Sequence, residues 1–133
     1  MNKPMKLLIV DDEEGIVDYM QRTFKRRGYD TFGTTIGKTA IDIFEYERPE
    51  ISIIDVVLDE PTYNGIQVLE KIKEIDKDAV CVMVTRVTDQ DMIEKARELG
   101  ALHYILKPLD IHELVEIVEE AKSVVESRGK KSG

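Results

Sequence analysis

The chain has 133 residues, 42% apolar and 35% charged, which is the size and balance of one folded domain with one core and excludes a disordered polymer. Nineteen Lys and Arg against 27 Asp and Glu give a net charge of −8, a field that repels phosphate backbones and anionic lipid surfaces, so no direct nucleic-acid or membrane partner is expected. The single cysteine, Cys81, excludes an internal disulfide, and His103 and His112 alone cannot complete a Cys/His zinc cluster.

The N-terminal MNKPMK leads into only four apolar residues, Leu7 to Val10, before two aspartates, too few for a secretory segment. The longest apolar stretch, Ile51 to Leu58, is interrupted by Asp55 and falls short of the ~20 residues of a membrane helix. A cytoplasmic protein is the expectation.

Leu7 to Val10 reads as the first strand, and Ile16, Tyr19, Met20, Thr23 and Phe24 place one apolar stripe on a following helix that stops at Gly28. Tyr29 to Phe32 is a weaker, alternating run suited to an edge strand. A second helix carries Ala40, Ile43 and Phe44 and ends before Pro49; Ile51 to Ile54 is the third strand. Asn64 opens a third helix with Leu69, Ile72 and Ile75 on one side, and Val80 to Val84 is the fourth strand. Thr88 and Asp91 form a capping-box-like start to a fourth helix with Met92, Ala96 and Leu99 inward and Gly100 as its end. After a fifth strand, Tyr104 to Leu106, Asp110 and Glu113 open the longest helix, with Leu114, Ile117, Val118, Ala121 and Val125 at helical spacing.

Five alternating strand and helix units predict an α/β fold, a doubly wound parallel sheet covered on both faces, because right-handed crossovers lay a helix on the sheet after each strand. The four continuous apolar runs agree with strands buried on both sides. No linker divides residues 1–127, and the polar tail 128–133 is expected to fray. In such sheets the site lies beyond the carboxyl ends of the strands.

At those ends stand Asp11 and Asp12, then Asp55, Thr85 and Lys107. Two carboxylates 4 Å apart repel by roughly 4 kcal/mol at an effective dielectric near 20, so grouping them calls for a cation, and Mg²⁺ takes one or two carboxylates and keeps several waters. Glu13 and Glu14 read as the acidic first turn of a helix. Asp55 ends an apolar run, and Val56-Val57-Leu58 continue apolar instead of opening a helix, which disfavours a capping role. Lys107 can neutralise the acids or an incoming phosphoryl oxygen, although alone it is equally a solvated lysine before Pro108. Cys81 reads as a small buried apolar residue.

Ile9-Val-Asp-Asp-Glu13, Ile53-Ile-Asp55, Val84-Thr85 and Tyr104-Ile-Leu-Lys-Pro108, with separations of 43, 30 and 22 residues between Asp12, Asp55, Thr85 and Lys107, resemble the receiver domains of bacterial two-component response regulators from about Lys6 to Ser127. The resemblance implies a (βα)5 flavodoxin-like fold with strand order 2-1-3-4-5, the receiver domain occupying 1–127. It implies that Asp55 accepts a phosphoryl group from a histidine kinase or histidine phosphotransfer protein and that the chain catalyses only its own phosphorylation and dephosphorylation. Mg²⁺ would be held by Asp12, Asp55 and the Val57 carbonyl, with Asp11 acting through water. Lys107 would pair with the phosphoryl oxygens, Thr85 would move to bond them, and Tyr104 holds the aromatic switch position that signals to a downstream output protein or domain.

Two features depart from the pattern. The loop from Asp55 to Gly65 is two residues longer than usual and adds Asp59 and Glu60, and Arg86 replaces the usual small residue after Thr85. Arg86 is expected to reach the phosphoryl oxygens or Asp59 and Glu60 and to modulate the lifetime of the acyl phosphate. A haloacid-dehalogenase-type phosphatase needs a second acid two residues after the nucleophile, where Val57 stands. A flavodoxin-like cofactor binder needs a phosphate loop where Asp-Asp-Glu-Glu stands. The remaining alternative is a degenerate receiver that binds partners without phosphorylation, usually marked by loss of an acid or the lysine. No helix-turn-helix or enzymatic domain follows Val125, so the chain reads as a single-domain regulator or as the receiver of a longer protein.

Overall fold

The computed structural model describes residues 3–59 and 61–132. Its elements alternate throughout: β1 (Lys6–Val10), α1 (Glu14–Arg26), β2 (Asp30–Thr34), α2 (Gly37–Glu47), β3 (Ile51–Ile54), α3 (Gly65–Ile75), β4 (Val80–Thr85), α4 (Gln90–Glu98), β5 (His103–Leu106) and α5 (Ile111–Ser132). The strands form one parallel sheet in the order β2-β1-β3-β4-β5, as the resemblance implies.

The pleat sends alternate side chains of each strand to opposite faces. Leu7, Ile9, Ile51, Ile53, Val82 and Val84 pack against Val17, Met20 and Phe24 of α1 and Leu114, Val118 and Ala121 of α5. Leu8, Val10, Ile54, Cys81 and Met83 face the other way, against Ala40 and Phe44 of α2, Leu69 and Ile72 of α3 and Ala96 of α4. Two cores, one on each side, explain why the inner strands are unbroken apolar runs. Each fully buried Leu, Ile or Phe contributes about 1.5–3 kcal/mol.

Several boundaries differ from the sequence reading. β2 starts at Asp30 and continues through Gly33 and Thr34, because the pairings Ile9↔Gly33 and Val10↔Thr34 extend the ladder past the last apolar residue. On α1, Val17 is buried and Tyr19 is half exposed, since Val17, Met20 and Phe24 lie along the helix's inner stripe and Tyr19 beside it. On α2, Ile41 is buried beside Ala40 and Phe44, and Ile43 is only partly covered. The N-cap of α4 is Asp89, not Thr88: its carboxylate accepts from the amides of Asp91 and Met92 at 2.9 and 3.2 Å. Asn64 opens α3 with a reciprocal capping box to Gln67. Gly28 and Gly100, at φ +94° and +90°, end α1 and α4 in the left-handed region as expected.

Of the polar tail expected at 128–133, the described part is helical, and Gly133 lies outside the described residues. Residues 128–132 continue α5, which runs unbroken from Ile111 to Ser132, and Arg128 donates to the Asp78 carbonyl across the α3–β4 turn. No proline interrupts this stretch, so its hydrogen-bond ladder propagates through Gly129. No helix among the described residues is long and apolar enough to cross a membrane.

Candidate functional site

The site is made by strand ends in register. Val10 pairs with Ile54, so Asp11 and Asp55 are the next residues on adjacent strands, and the Asp55 amide donates to the Val10 carbonyl at 2.8 Å. Thr85 pairs with Leu106, and the Lys107 amide donates to the Thr85 carbonyl at 2.8 Å. Asp11, Asp55 and Lys107 therefore continue the alternation of Ile9, Ile53 and Ile105, on the α1 and α5 side of the sheet. Behind Asp55 the backbone folds tightly: a Cβ on Gly65 would lie 1.9 Å from the Asp55 carbonyl oxygen, so only glycine lets α3 begin there.

Lys107 Nζ lies 2.7 Å from Asp11 Oδ2 and 2.9 Å from Asp55 Oδ2, with its own side chain 7% exposed. The remaining oxygens are also bonded: the Glu13 amide donates to Asp11 Oδ1 at 3.0 Å, and the Val57 amide donates to Asp55 Oδ1 at 3.1 Å. Burial pushes the Asp11 carboxyl up, against the downward pull of the Lys107 ammonium and the Glu13 amide. Burial by itself would lower Lys107, but its bonds to Asp11 and Asp55 outweigh that and hold it above the ordinary lysine value. This ammonium is charged throughout the physiological range.

Carboxylate oxygens of Asp11, Asp12 and Asp55 lie within 4.8 Å of one another, Asp11 and Asp55 buried and Asp12 at the half-buried rim. Three carboxylates and one ammonium leave two negative charges uncompensated, the charge of one divalent cation. The donors are all hard oxygens, so the cluster fits a metal ion of that kind.

Thr85 is fully buried, and its hydroxyl accepts from the Val87 amide at 3.3 Å. Tyr104, half-buried, donates its hydroxyl to the Val87 carbonyl at 2.7 Å. Both polar groups of one residue, Val87, are thus held by the threonine and the tyrosine, a contact that no spacing in the sequence signals. Burial, and then the negative charge of Asp55, push the Tyr104 hydroxyl up, so it stays a proton donor.

Arg86 does not reach Asp59: its guanidinium lies 3.7 Å from Glu13 Oε1, spanning the rim between the β1–α1 and β4–α4 loops. Asp59 instead anchors its loop, its amide donating to the Thr35 carbonyl at 3.1 Å; Glu60 lies outside the described residues. The expected Asp59 partner for Arg86 is thereby corrected. Asp59 follows the loop toward α2, whereas Glu13 sits across the site from β4. Glu13 itself exceeds its reading as a first-turn acid, since its amide fixes Asp11 and its carboxylate meets Arg86.

Residues 7–119 match the response regulator receiver domain family. The chain belongs to this family. It is 37% identical over 115 residues to the sporulation initiation phosphotransferase F of Bacillus subtilis (strain 168), covering 86% of this chain and 91% of that protein. A CheY-like response regulator receiver domain protein from Methanospirillum hungatei JF-1 superposes with a TM-score of 0.89 at 25% identity, over 94% of this chain and 98% of that one. A CheX-CheY-BeF3-Mg+2 complex from Borrelia burgdorferi gives 0.78 at 28% identity, over 88% of each chain. This receiver is a signalling phospho-acceptor of two-component systems.

Proposed function

We infer that Asp55 is the phosphorylated residue, receiving the phosphoryl group from a histidine kinase or histidine phosphotransfer protein. The observation that carries this reading is the convergence of Asp55, from β3, with Lys107 at 2.9 Å and the Asp11–Asp12 pair, all at the carboxyl edge of the sheet. The carboxylates of Asp12 and Asp55 and the Val57 carbonyl, with Asp11 through water, would hold Mg²⁺, whose positive charge would offset that of the phosphoryl oxygens. An Asp55 oxygen forms the bond to phosphorus as the bond from phosphorus to the donor imidazole breaks. Lys107, pinned between two carboxylates in the resting site, holds the positive charge that the transferred group meets. The same positioned groups let the chain catalyse its own phosphorylation and dephosphorylation.

Once Asp55 carries the group, the Thr85 hydroxyl turns from the Val87 amide to a phosphoryl oxygen. Of the two bonds that hold Val87, only that of Tyr104 then remains, and the α4–β5–α5 face shifts as the signal to an output protein or domain. Arg86, with Glu13, screens the mouth against water and modulates the lifetime. A degenerate receiver usually lacks an acid or the lysine; here Asp11, Asp12, Asp55 and Lys107 are all present, with Lys107 bonded to Asp11 and Asp55, which supports the phosphorylated reading. The B. subtilis relative's name, a phosphotransferase, supports a phosphotransfer donor, and the Mg²⁺ in the Borrelia complex supports the metal. Such a domain works in the cytoplasm, where its kinases present phosphohistidine.

Intact mass after incubation with Mg²⁺ and a small acyl phosphate tests the assignment. One added phosphoryl group (~80 Da) is expected in the parent, none with chelator and none in Asp55→Asn. Full labelling of Asp55→Asn would sink it.

A further inference from the structure

The longer β3–α3 loop has a use that the phosphoryl site does not absorb. It is folded onto the start of α2: the Asp59 amide is bonded to Thr35, and Leu58 and Tyr63 close over Gly37, where an added Cβ would meet the Tyr63 Cβ at 2.8 Å. Held there, the loop stands off from α4 and leaves a groove enclosing about 390 Å³. Its walls are Val57, Pro61 and Tyr63 from the loop and Val87 and Met92 from the α4 side, with Val56 beneath. Val57 is 49% exposed and offers its side chain to the groove.

Exposed acids adjoin the lining along the chain. Asp59 lies on the loop, and Asp89 and Asp91 lie at the start of α4; all three are exposed. None of the lining residues is a cation, and the nearby cations are engaged elsewhere: Arg86 with Glu13, Lys95 with Glu70, Lys71 with Glu74. An apolar floor inside an acidic rim complements a segment that presents apolar anchors flanked by Lys or Arg.

We propose that the groove between the β3–α3 loop and α4 docks a basic amphipathic segment of a partner protein, its apolar side chains seated on Val57, Tyr63 and Met92 and its cations on Asp59, Asp89 and Asp91. Val87 forms one wall and is held through both its backbone groups by Thr85 and Tyr104, so the occupant rests against the switch residues. Docking itself uses the groove and its rim and needs no phosphoryl group on Asp55.

The test is a titration of the isotope-labelled full chain with an acetylated twelve-residue peptide of leucine and lysine, the leucines at helical spacing, read by amide shifts and by anisotropy. Shifts are expected to concentrate around Val57, Tyr63, Val87 and Met92. The exposed pair Asp59→Lys/Asp91→Lys should weaken binding by about tenfold or more, whereas Glu113→Lys/Glu116→Lys on α5, an equal change of net charge, should weaken it by less than about twofold. Met92→Lys should abolish the concentrated shifts; if that variant loses its fold by circular dichroism, the rim pair decides the matter. Asp55→Asn should bind as the parent does, which separates this result from the fate of the phosphoryl-acceptor reading. Shifts spread over the acidic faces at large, or equal weakening by the α5 pair, would overturn the proposal.

Discussion

Replacing Lys107 by Met removes an ammonium that lies 2.7 and 2.9 Å from two carboxylates and keeps most of its aliphatic stem. Asp11 and Asp55 are only 3% and 4% exposed, so without Lys107 two like charges face each other with little solvent, each keeping one backbone amide as partner. Removing one member of a buried pair costs about 3–5 kcal/mol, and the open rim at Asp12 argues for the lower end. At ~2.1 cal/mol/K per residue, a loss of about 3 kcal/mol over a chain of this length lowers the melting temperature by roughly 10 °C. Thermal and urea unfolding in chelator at pH 7 measure this. The sign of the pH dependence also follows. An acid whose folded-state pKa lies above its unfolded value favours the protonated native state, so its stabilising contribution is present at low pH and lost as pH rises. Asp11 is already raised with Lys107 present and rises further without it, so the deficit in Lys107→Met should shrink as pH falls from 7 toward 5. A variant melting within about 2 °C of the parent in chelator would refute the view that Lys107 neutralises the cluster.

Asp12→Ala should weaken divalent metal binding yet stabilise the metal-free protein by about 1 kcal/mol, because it removes one of three mutually repelling carboxylates at a screened rim; calorimetry with and without Mg²⁺ checks both signs. Arg86→Ala should hasten loss of the phosphoryl group by up to about fivefold, the limit for an exposed ion pair worth at most ~1 kcal/mol, and equal or slower decay after donor removal would reject the screening role. Burial pushes the Cys81 thiol up to about 12, so the native protein should resist iodoacetamide at pH 8 and react once unfolded in urea. A raised thiol favours the native state below its unfolded value near 9, so that share of stability should fall as pH rises from about 9 toward 12, by up to ~1.4 kcal/mol per unit, and vanish in Cys81→Ala.

Most of the candidate site was legible because its residues sit at the ends of strands that the sequence marks strongly. Leu7 to Val10 and Ile51 to Ile54 are apolar on both faces, so the next residue in each, Asp11 and Asp55, is placed at the sheet edge by chain order alone. Lys107 follows from the same reasoning at β5. What stayed hidden depends on loops whose paths no periodicity records. The pairing of Arg86 with Glu13 in place of Asp59 was decided by where the β3–α3 loop goes, and it goes to Thr35 and Gly37.

Side-chain periodicity and strand-end position are local properties of the chain, and they sufficed for the number and kind of elements, the two-sided burial of the inner strands and the acids and lysine at their ends. The register that brings Lys107 within 2.9 Å of both Asp11 and Asp55, across 96 and 52 residues of sequence, came instead from strands pairing over long range. The capture of Val87 by Thr85 and Tyr104, and the groove beside α4, have the same long-range origin. Each of these joins side chains or backbone groups from different elements, and their distances follow from how the two cores close on the sheet, not from spacing along the chain.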